Sequence, residues 1–363
     1  MAKMKQRSLE EVKALNQEEA VEIMRQAGIL GAGGGGFPTY FKYKNPQPHL
    51  IVNANESEPG YWADKMMHKE YLDEFLSVYE ALKTIFGFEQ ISMCIHEKDR
   101  EWYADYAEHA DEGLYDIRCV PDKYALGKEK ALIQQITDTK VPRKVETSDG
   151  SERAGMPLDV GIIVNNSETL FNVYNALFLG KPVTTKVLSV YGEDIADLKV
   201  YEVPIGVSMT EVLGIAGMDV ENSGHLSVID GGPYLNEMGI EELGNEVATS
   251  GRRRTPSCSS PRARRARITP TWRPIPPKRA SVSLVGELSG VRMPLGGRYL
   301  EPAEALVSEG DEVEYEQKIG EPVDEGFSIG VWTSAGGTIS SIEDNIVAIS
   351  SGAVPQEEAE ARR

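Results

Sequence analysis

Gly31-Ala32-Gly33-Gly34-Gly35-Gly36-Phe37-Pro38-Thr39, followed by His49-Leu50-Ile51-Val52-Asn53-Ala54-Asn55-Glu56-Ser57-Glu58-Pro59-Gly60, is the most informative part of this chain. The first run is almost bare backbone, and bare backbone lets main-chain N–H groups approach a phosphate or a flat ring closely. The second begins as an apolar strand and ends in amides and carboxylates, which can accept from ribose hydroxyls or ring N–H groups. Apolar strands that end in polar clusters place ligands at the carboxyl edge of an open α/β sheet. The pair therefore predicts a nucleotide-type cofactor site.

Outward from that segment, strands and helices alternate. Residues 8–28 read as one helical entry, in which Asn16 can cap, Ala20, Ile23, Met24 and Ala27 form the apolar stripe, and Gly28 ends it. Leu72, Phe75, Leu76, Tyr79 and Leu82 predict a helix over 70–86, closed by Gly87. Strands are expected at 50–53, 90–95, 115–120 and 160–164, and helices at 98–110, 128–137 and 168–179. This order predicts an α/β domain with a largely parallel, Rossmann-like sheet over residues 1–182. Beyond it, strands at 185–191 and 199–204, a helix at 208–216 and a strand at 226–230 form a β-β-α-β module, assigned to a small β-grasp domain over 183–250.

Residues 283–352 change character again, with short β runs separated by Gly-Asp, Gly-Gly and Glu-Asp turns, and predict an all-β module. Gly310-Asp311-Glu312-Val313 and Gln317-Lys318-Ile319-Gly320 resemble the hammerhead of lipoyl and biotinyl carrier domains. Those carriers expose a lysine at a hairpin tip, and Glu325-Gly326-Phe327-Ser328-Ile329-Gly330 has none. A packing or docking module fits better than a carrier. Residues 353–363 read as a disordered tail.

The chain has 363 residues, 40% of them hydrophobic, and a net charge of -19. No run approaches the roughly 20 apolar residues of a membrane helix, and no apolar segment follows the charged first residues, so a cytoplasmic protein without membrane insertion is expected. The acidic balance argues against nucleic-acid binding. Cys94, Cys119 and Cys258 are too scattered for an iron–sulfur or structural zinc framework. The charge is uneven, since residues 251–280 carry ten of the 38 Lys and Arg, six prolines and no acid. Residues 251–282 read either as a disordered basic linker or as text translated out of frame.

Within the polar clusters, Lys42 is placed to meet a phosphate or a reduced ring as a cation, or else is a solvated surface lysine. Glu56, Glu58 and Asp64 form an acidic group, with a helix-capping role as the alternative for Asp64. Asn165 and Asn166 can hydrogen-bond a ribityl chain or ring edge, or simply cap the following helix.

Three ordered motifs carry a family resemblance: Gly31-x-Gly33-Gly34-x-Gly36-Phe37-Pro38-Thr39-x-x-Lys42; Asn53-Ala54-x-Glu56-x-Glu58-Pro59-Gly60 with Asp64; and Asn165-Asn166-x-Glu168-Thr169. They resemble the NADH- and FMN-binding flavoprotein subunit of respiratory complex I. Tyr124-Ala125-Leu126-Gly127-Lys128-Glu129-Lys130-Ala131-Leu132-Ile133, followed by Val141-Pro142, is more similar to the C subunit of Rnf ferredoxin:NAD oxidoreductase and to related cobalamin reductases. Residues 183–250 resemble the soluble-ligand-binding β-grasp domain of these proteins, and 283–352 their barrel-sandwich hybrid domain. The resemblance implies FMN and NADH as cofactors. Its implied binding residues are Gly31, Gly33, Gly34, Gly36, Lys42, Asn53, Asn55, Glu56, Glu58, Asp64, Tyr124, Gly127, Glu129, Asn165 and Asn166, with no protein group as catalytic acid or base. It also implies a place in the cytoplasm or peripheral to a membrane complex. Three departures stand out. The family's iron–sulfur region is missing, so no cluster is expected in this chain and electrons must pass from the flavin to an iron–sulfur or other redox partner subunit, or the flavin site is degenerate. Lys128 replaces the first of two adjacent acids of the complex I pattern, and Asn55 replaces an aspartate, which changes the field at the nicotinamide side. The expected function is NADH oxidation through FMN with delivery to a partner. The alternatives are a flavin reductase for a dedicated acceptor such as cobalamin, and a cofactor-less scaffold.

Overall fold

A computed structural model describes residues 4–56, 58, 60–110, 113–192, 195, 199–222, 227–230, 236–239, 257–259, 282–283 and 287–353. The reading of 251–282 as linker or out-of-frame text falls outside the described residues except at Ser257–Ser259 and Val282, as does the tail beyond Ala353. The chain divides into two compact units that interleave in sequence. The first is Met1–Met24, Thr39–Ser57 and Met67–Gly180; the second is Arg25–Pro38, Glu58–Met66 and Lys181–Arg363.

The first unit is a mixed α/β layer structure. Its strands are β1 (His49–Asn53), β2 (Gln90–His96), β3 (Asp116–Val120), β4 (Lys144–Glu146), β5 (Glu152–Ala154) and β6 (Ile162–Asn166). Four of them form a parallel sheet in the order β3-β2-β1-β6. The continuous apolar run of β1 is explained by its central place, since a parallel strand covered on both faces needs apolar residues on both. Ile51, Cys94, Val120, Ile162 and Val164 pack on one face with Leu126, Leu132 and Ile133. The helix Leu72–Phe86 buries Phe75, Val78, Tyr79, Leu82 and Phe86. Gly87 ends it at φ 67°, its N–H returning to the Lys83 carbonyl at 3.0 Å.

Several helices differ from the sequence expectation for identifiable local reasons. The first helical region is split into Leu9–Lys13 and Gln17–Gln26. Asn16 caps the second reciprocally with Glu19: the Glu19 N–H donates to Asn16 Oδ1 at 2.9 Å and the Asn16 N–H to Glu19 Oε2 at 3.0 Å. The helix expected over 98–110 is reduced to Ala104–Ala110 after a short 3-10 turn, and that over 168–179 becomes Ser167–Tyr174 followed by a π turn, Asn175–Leu179. The hairpin β4–β5 carried no clear alternation and was not expected.

The second unit holds the C-terminal all-β region. β7 (Thr185–Gly192) and β8 (Lys199–Pro204) pair antiparallel, and the helix Met209–Ile215 and the strand Ser227–Asp230 follow in the expected order. Glu287–Pro294, Ile346–Ala353, Gly337–Glu343 and Glu312–Val313 form one sheet, and Glu304–Ala305, Lys318–Glu321 and Val331–Trp332 another. Residues 322–330 connect the antiparallel strands Lys318–Glu321 and Val331–Trp332. They meet the end of the helix Gln17–Gln26 backbone to backbone: a Cβ on Gly330 would lie 2.2 Å from the Gln26 carbonyl oxygen, and one on Gly28 (φ 77°) 2.6 Å from the Gly330 oxygen. Gly330→Ala is therefore expected to destabilise the protein by about 1–3 kcal/mol, the usual cost of overpacking a closed contact. The check is a lowered urea midpoint with an unchanged slope.

Candidate functional site

In the first unit, the parallel register sets the polar cluster at one sheet edge. β1 lies between β2 and β6 with Asn53 opposite Cys94 and Asn166, and Val52 opposite Asn165. Asn53 is committed to the scaffold: its Nδ2 donates to the Gly127 carbonyl at 3.2 Å, and its Oδ1 accepts from both the N–H and the Nδ2 of Asn55. Gly127 and the partly exposed Tyr124 belong to the 3-10 turn Tyr124–Gly127, and Glu129 opens the helix Glu129–Thr137. Lys42 is not a solvated surface lysine. Its ammonium donates to the Val164 carbonyl at 2.6 Å and meets Glu129 Oε1 at 3.2 Å, with the side chain 13% exposed.

The asparagine pair separates into two roles. Asn166 is the N-cap of Ser167–Tyr174, accepting from the Thr169 N–H at 3.0 Å and from the Thr169 hydroxyl. Asn165 is buried, and its Nδ2 donates to Tyr43 Oη at 2.6 Å. Burial holds the Tyr43 phenol well above its ordinary pKa, so it stays neutral. Asn165 Oδ1 and Asn55 Oδ1 are buried and find no hydrogen-bond partner among the described residues. An unmet buried amide oxygen costs roughly 1–3 kcal/mol, which a ligand N–H or O–H could recover. Glu56 is also buried in this unit.

Tyr43 was missed by sequence reasoning, although it directly follows Lys42. So was His68. Tyr106 Oη donates to the His68 carbonyl at 3.1 Å and so accepts from His68 Nδ1–H at 2.9 Å. Nε2 is then left to accept from the Ser167 hydroxyl, also at 2.9 Å. The neutral ring stacks on Phe75 with centroids 4.0 Å apart. It thereby holds the first residue after Asn166.

The remaining predicted residues lie in the second unit. Gly31 N–H donates to the Phe37 carbonyl at 2.8 Å and Gly36 N–H to the Gly31 carbonyl at 3.1 Å, closing the glycine run into a loop. Gly34 and Gly36 hold φ of 100° and 63°, which the missing Cβ permits. The buried Lys186, another residue missed, donates from Nζ to the Ala32 carbonyl at 3.3 Å. Gly33 belongs to the same loop. Glu58 and Asp64 are buried; Asp64 lies inside the first turn of the helix Ala63–Glu70 rather than capping it. Gly60 is needed where it stands, since a Cβ there would fall 2.3 Å from the Tyr191 ring.

Residues 24–175 match the Nuo51 FMN-binding domain family, and residues 278–356 the RnfC barrel sandwich hybrid domain family. Among curated proteins, it is 31% identical over 235 residues to cobalamin reductase PduS of Salmonella typhimurium, covering 64% of this chain and 49% of the relative. It is 32% identical over 182 residues to the C subunit of the ion-translocating oxidoreductase complex of Vibrio cholerae, covering 49% of this chain and 22% of the relative. It thus spans less than half the length of either. In fold, it is similar to a chain of the NAD+-reducing [NiFe]-hydrogenase in its H2-reduced state, with a TM-score of 0.55 and 22% identity over 69% of this chain and 48% of that one. No described helix is long and apolar enough to cross a membrane.

Burial lowers the His68 pKa to about 3, whereas an unfolded histidine titrates near 6.5. The unfolded state therefore binds the extra proton first, and stability falls as pH drops from about 6.5 toward about 3. Between pH 7.5 and 5 this one residue should remove about 2 kcal/mol. Urea titrations at the two pH values should show that His68→Gln loses less stability across this window than the wild type does.

Proposed function

We propose that this chain is a flavin-dependent electron-transfer subunit that oxidises NADH through FMN and delivers electrons to a redox partner protein. The observation that carries the reading is the pair of unmet buried amide oxygens, Asn55 Oδ1 and Asn165 Oδ1, at the polar edge of the parallel sheet. Such acceptors suit the N–H and hydroxyl groups of a flavin and its ribityl chain. The matched FMN-binding family supports the same choice of cofactor. The flavin supplies, when bound, acceptance of a hydride from a nicotinamide and release of electrons singly.

The chain's own residues have distinct tasks. Asn53 fixes the Gly127 turn and the Asn55 backbone, so that Asn55 Oδ1 is held ready rather than searching. Tyr43 orients the Asn165 amide so that its oxygen stays available. Lys42 brings a cation to the carbonyl end of β6, where it can stabilise negative charge on a reduced ring, and Glu129 keeps that cation from being isolated. Glu56, Glu129 and Tyr124 of the first unit are assigned to the nicotinamide side. The glycine run offers main-chain N–H donors for a phosphate or a flat ring. The β-grasp assignment of 183–250 and the barrel-sandwich assignment of 283–352 belong to this reading, as does a cytoplasmic location.

A second reading, a flavin reductase for a dedicated acceptor such as cobalamin, is favoured by the similarity to cobalamin reductase over 64% of this chain. A cofactor-less scaffold is disfavoured, because a docking domain gains nothing from buried amide oxygens left unmet.

The test is an absorbance spectrum of the protein incubated with FMN, desalted and then given NADH without oxygen. Retained bands near about 370 and 450 nm that bleach with NADH are expected, as for any oxidised flavin poised for hydride transfer. Protein that keeps no flavin overturns the proposal. Cob(II)alamin added to the reduced protein separates the two redox readings, since rapid reoxidation by it favours the second. Asn165→Ala should weaken FMN binding by about tenfold or more, the worth of a buried hydrogen bond.

A further inference from the structure

Loop 322–330 of the second unit grips both flanks of the glycine run. Upstream, the Arg25 guanidinium donates to the Val323 carbonyl at 2.6 Å and to the Ser328 carbonyl at 3.3 Å, so one side chain ties the two arms of the loop together. The Gly330 N–H returns to the Arg25 carbonyl at 3.0 Å, and Trp332 Nε1 donates to the Gln26 carbonyl at 2.7 Å. Downstream, the Phe37 ring sits edge-on to Phe327, with centroids 5.6 Å apart, and to Tyr299 at 5.8 Å. The Phe327 carbonyl is itself fixed by the Glu301 N–H at 2.7 Å.

A run of glycines cannot hold its own shape. It has no side chains to pack and loses more conformational freedom on ordering than any other sequence. The hydrogen bonds at Gly31 and Gly36 close the loop, and Lys186 holds the Ala32 carbonyl from within it. Both flanks are in addition fastened to one short loop about 290 residues further along. In lipoyl-type carriers the corresponding tip would have to stay exposed to present a lysine. Here that tip has no lysine, and its aromatic and carbonyl groups are occupied in holding Arg25 and Phe37.

We propose that loop 322–330 is a positioning clamp for the glycine run 31–36, fixing its φ-positive backbone so that its N–H groups can meet a phosphate-bearing cofactor. The clamp rests on the reading of the glycine run as a cofactor loop. Arg25, Phe37, Phe327 and Trp332 are its positioning residues; none is assigned a contact with the cofactor.

The test uses two full-length variants, Phe327→Ala and the milder Arg25→Lys, which keeps the charge but loses the two-carbonyl grip. Amide hydrogen exchange is followed in peptides covering 30–37 and, as an internal reference, 162–166, and FMN affinity is measured by fluorescence quenching. Exchange at Gly31 and Gly36 should accelerate by about tenfold or more in both variants, with 162–166 unchanged. The FMN dissociation constant should rise by about tenfold or more. Unchanged exchange at 30–37 in both variants overturns the clamp, and so does acceleration that spreads equally to 162–166. Faster exchange at 30–37 with unaltered FMN affinity overturns its role in cofactor positioning. Should the wild type bind no FMN, the cofactor reading fails by itself, and the exchange data alone then decide whether the loop is held.

Discussion

The parallel pairing of β1 with β6 is the contact on which the first unit depends. The two strands are more than 100 residues apart in the chain, and their register places Val52-Asn53 against Asn165-Asn166. A slip of one residue would turn every side chain of β1 to the opposite face, moving Ile51 out of its cluster with Val164 and Ile162. The apolar packing therefore enforces the register, and the register delivers the amides to one edge. The gathering of amides at that edge is a by-product of hydrophobic alignment.

Polar groups at the edge are handled by division of labour. Asn53, Asn166 and Tyr43 spend their hydrogen bonds on structure, and by doing so hold Asn55 and Asn165 with one oxygen each unmet. His68 extends this support one layer further. Its single allowed tautomer links the Tyr106 hydroxyl to the Ser167 hydroxyl, so the turn after Asn166 is held by a neutral ring in an aromatic core. These supporting groups cost little while satisfied and leave a small number of costly acceptors in one place, an arrangement that a bound partner group would relieve.

Much of this was legible in the sequence, and the omissions have physical causes. The β1 run, the Gly87 stop and the Asn16 cap each follow from local rules, and all three are found where the residues predict them. Lys42, Asn53, Glu129 and Asn165 stand out in the sequence through motif order alone, and their division into scaffold and available groups depends on distances that no spacing reveals. Tyr43 and His68 read as ordinary core residues, because a tyrosine on a short helix and a lone histidine have many uses. Lys186 belongs to no motif, and only the structure places its ammonium on the Ala32 carbonyl. The grip of 322–330 on Arg25 and Phe37 could not be read at all, since nothing local in either segment announces a partner some 300 residues away.

That separation has a consequence for biosynthesis. The glycine run leaves the ribosome about 290 residues ahead of Val323, Phe327, Ser328 and Gly330. At ordinary elongation rates of about 5–20 residues per second, the run must wait on the order of tens of seconds before its anchors exist. During that interval the first unit can assemble its parallel sheet from residues already emerged, whereas the second stays unfinished. Maturation is therefore ordered in time, with the sheet edge ready before the loop, and a nascent chain arrested short of residue 330 would present the former without the latter.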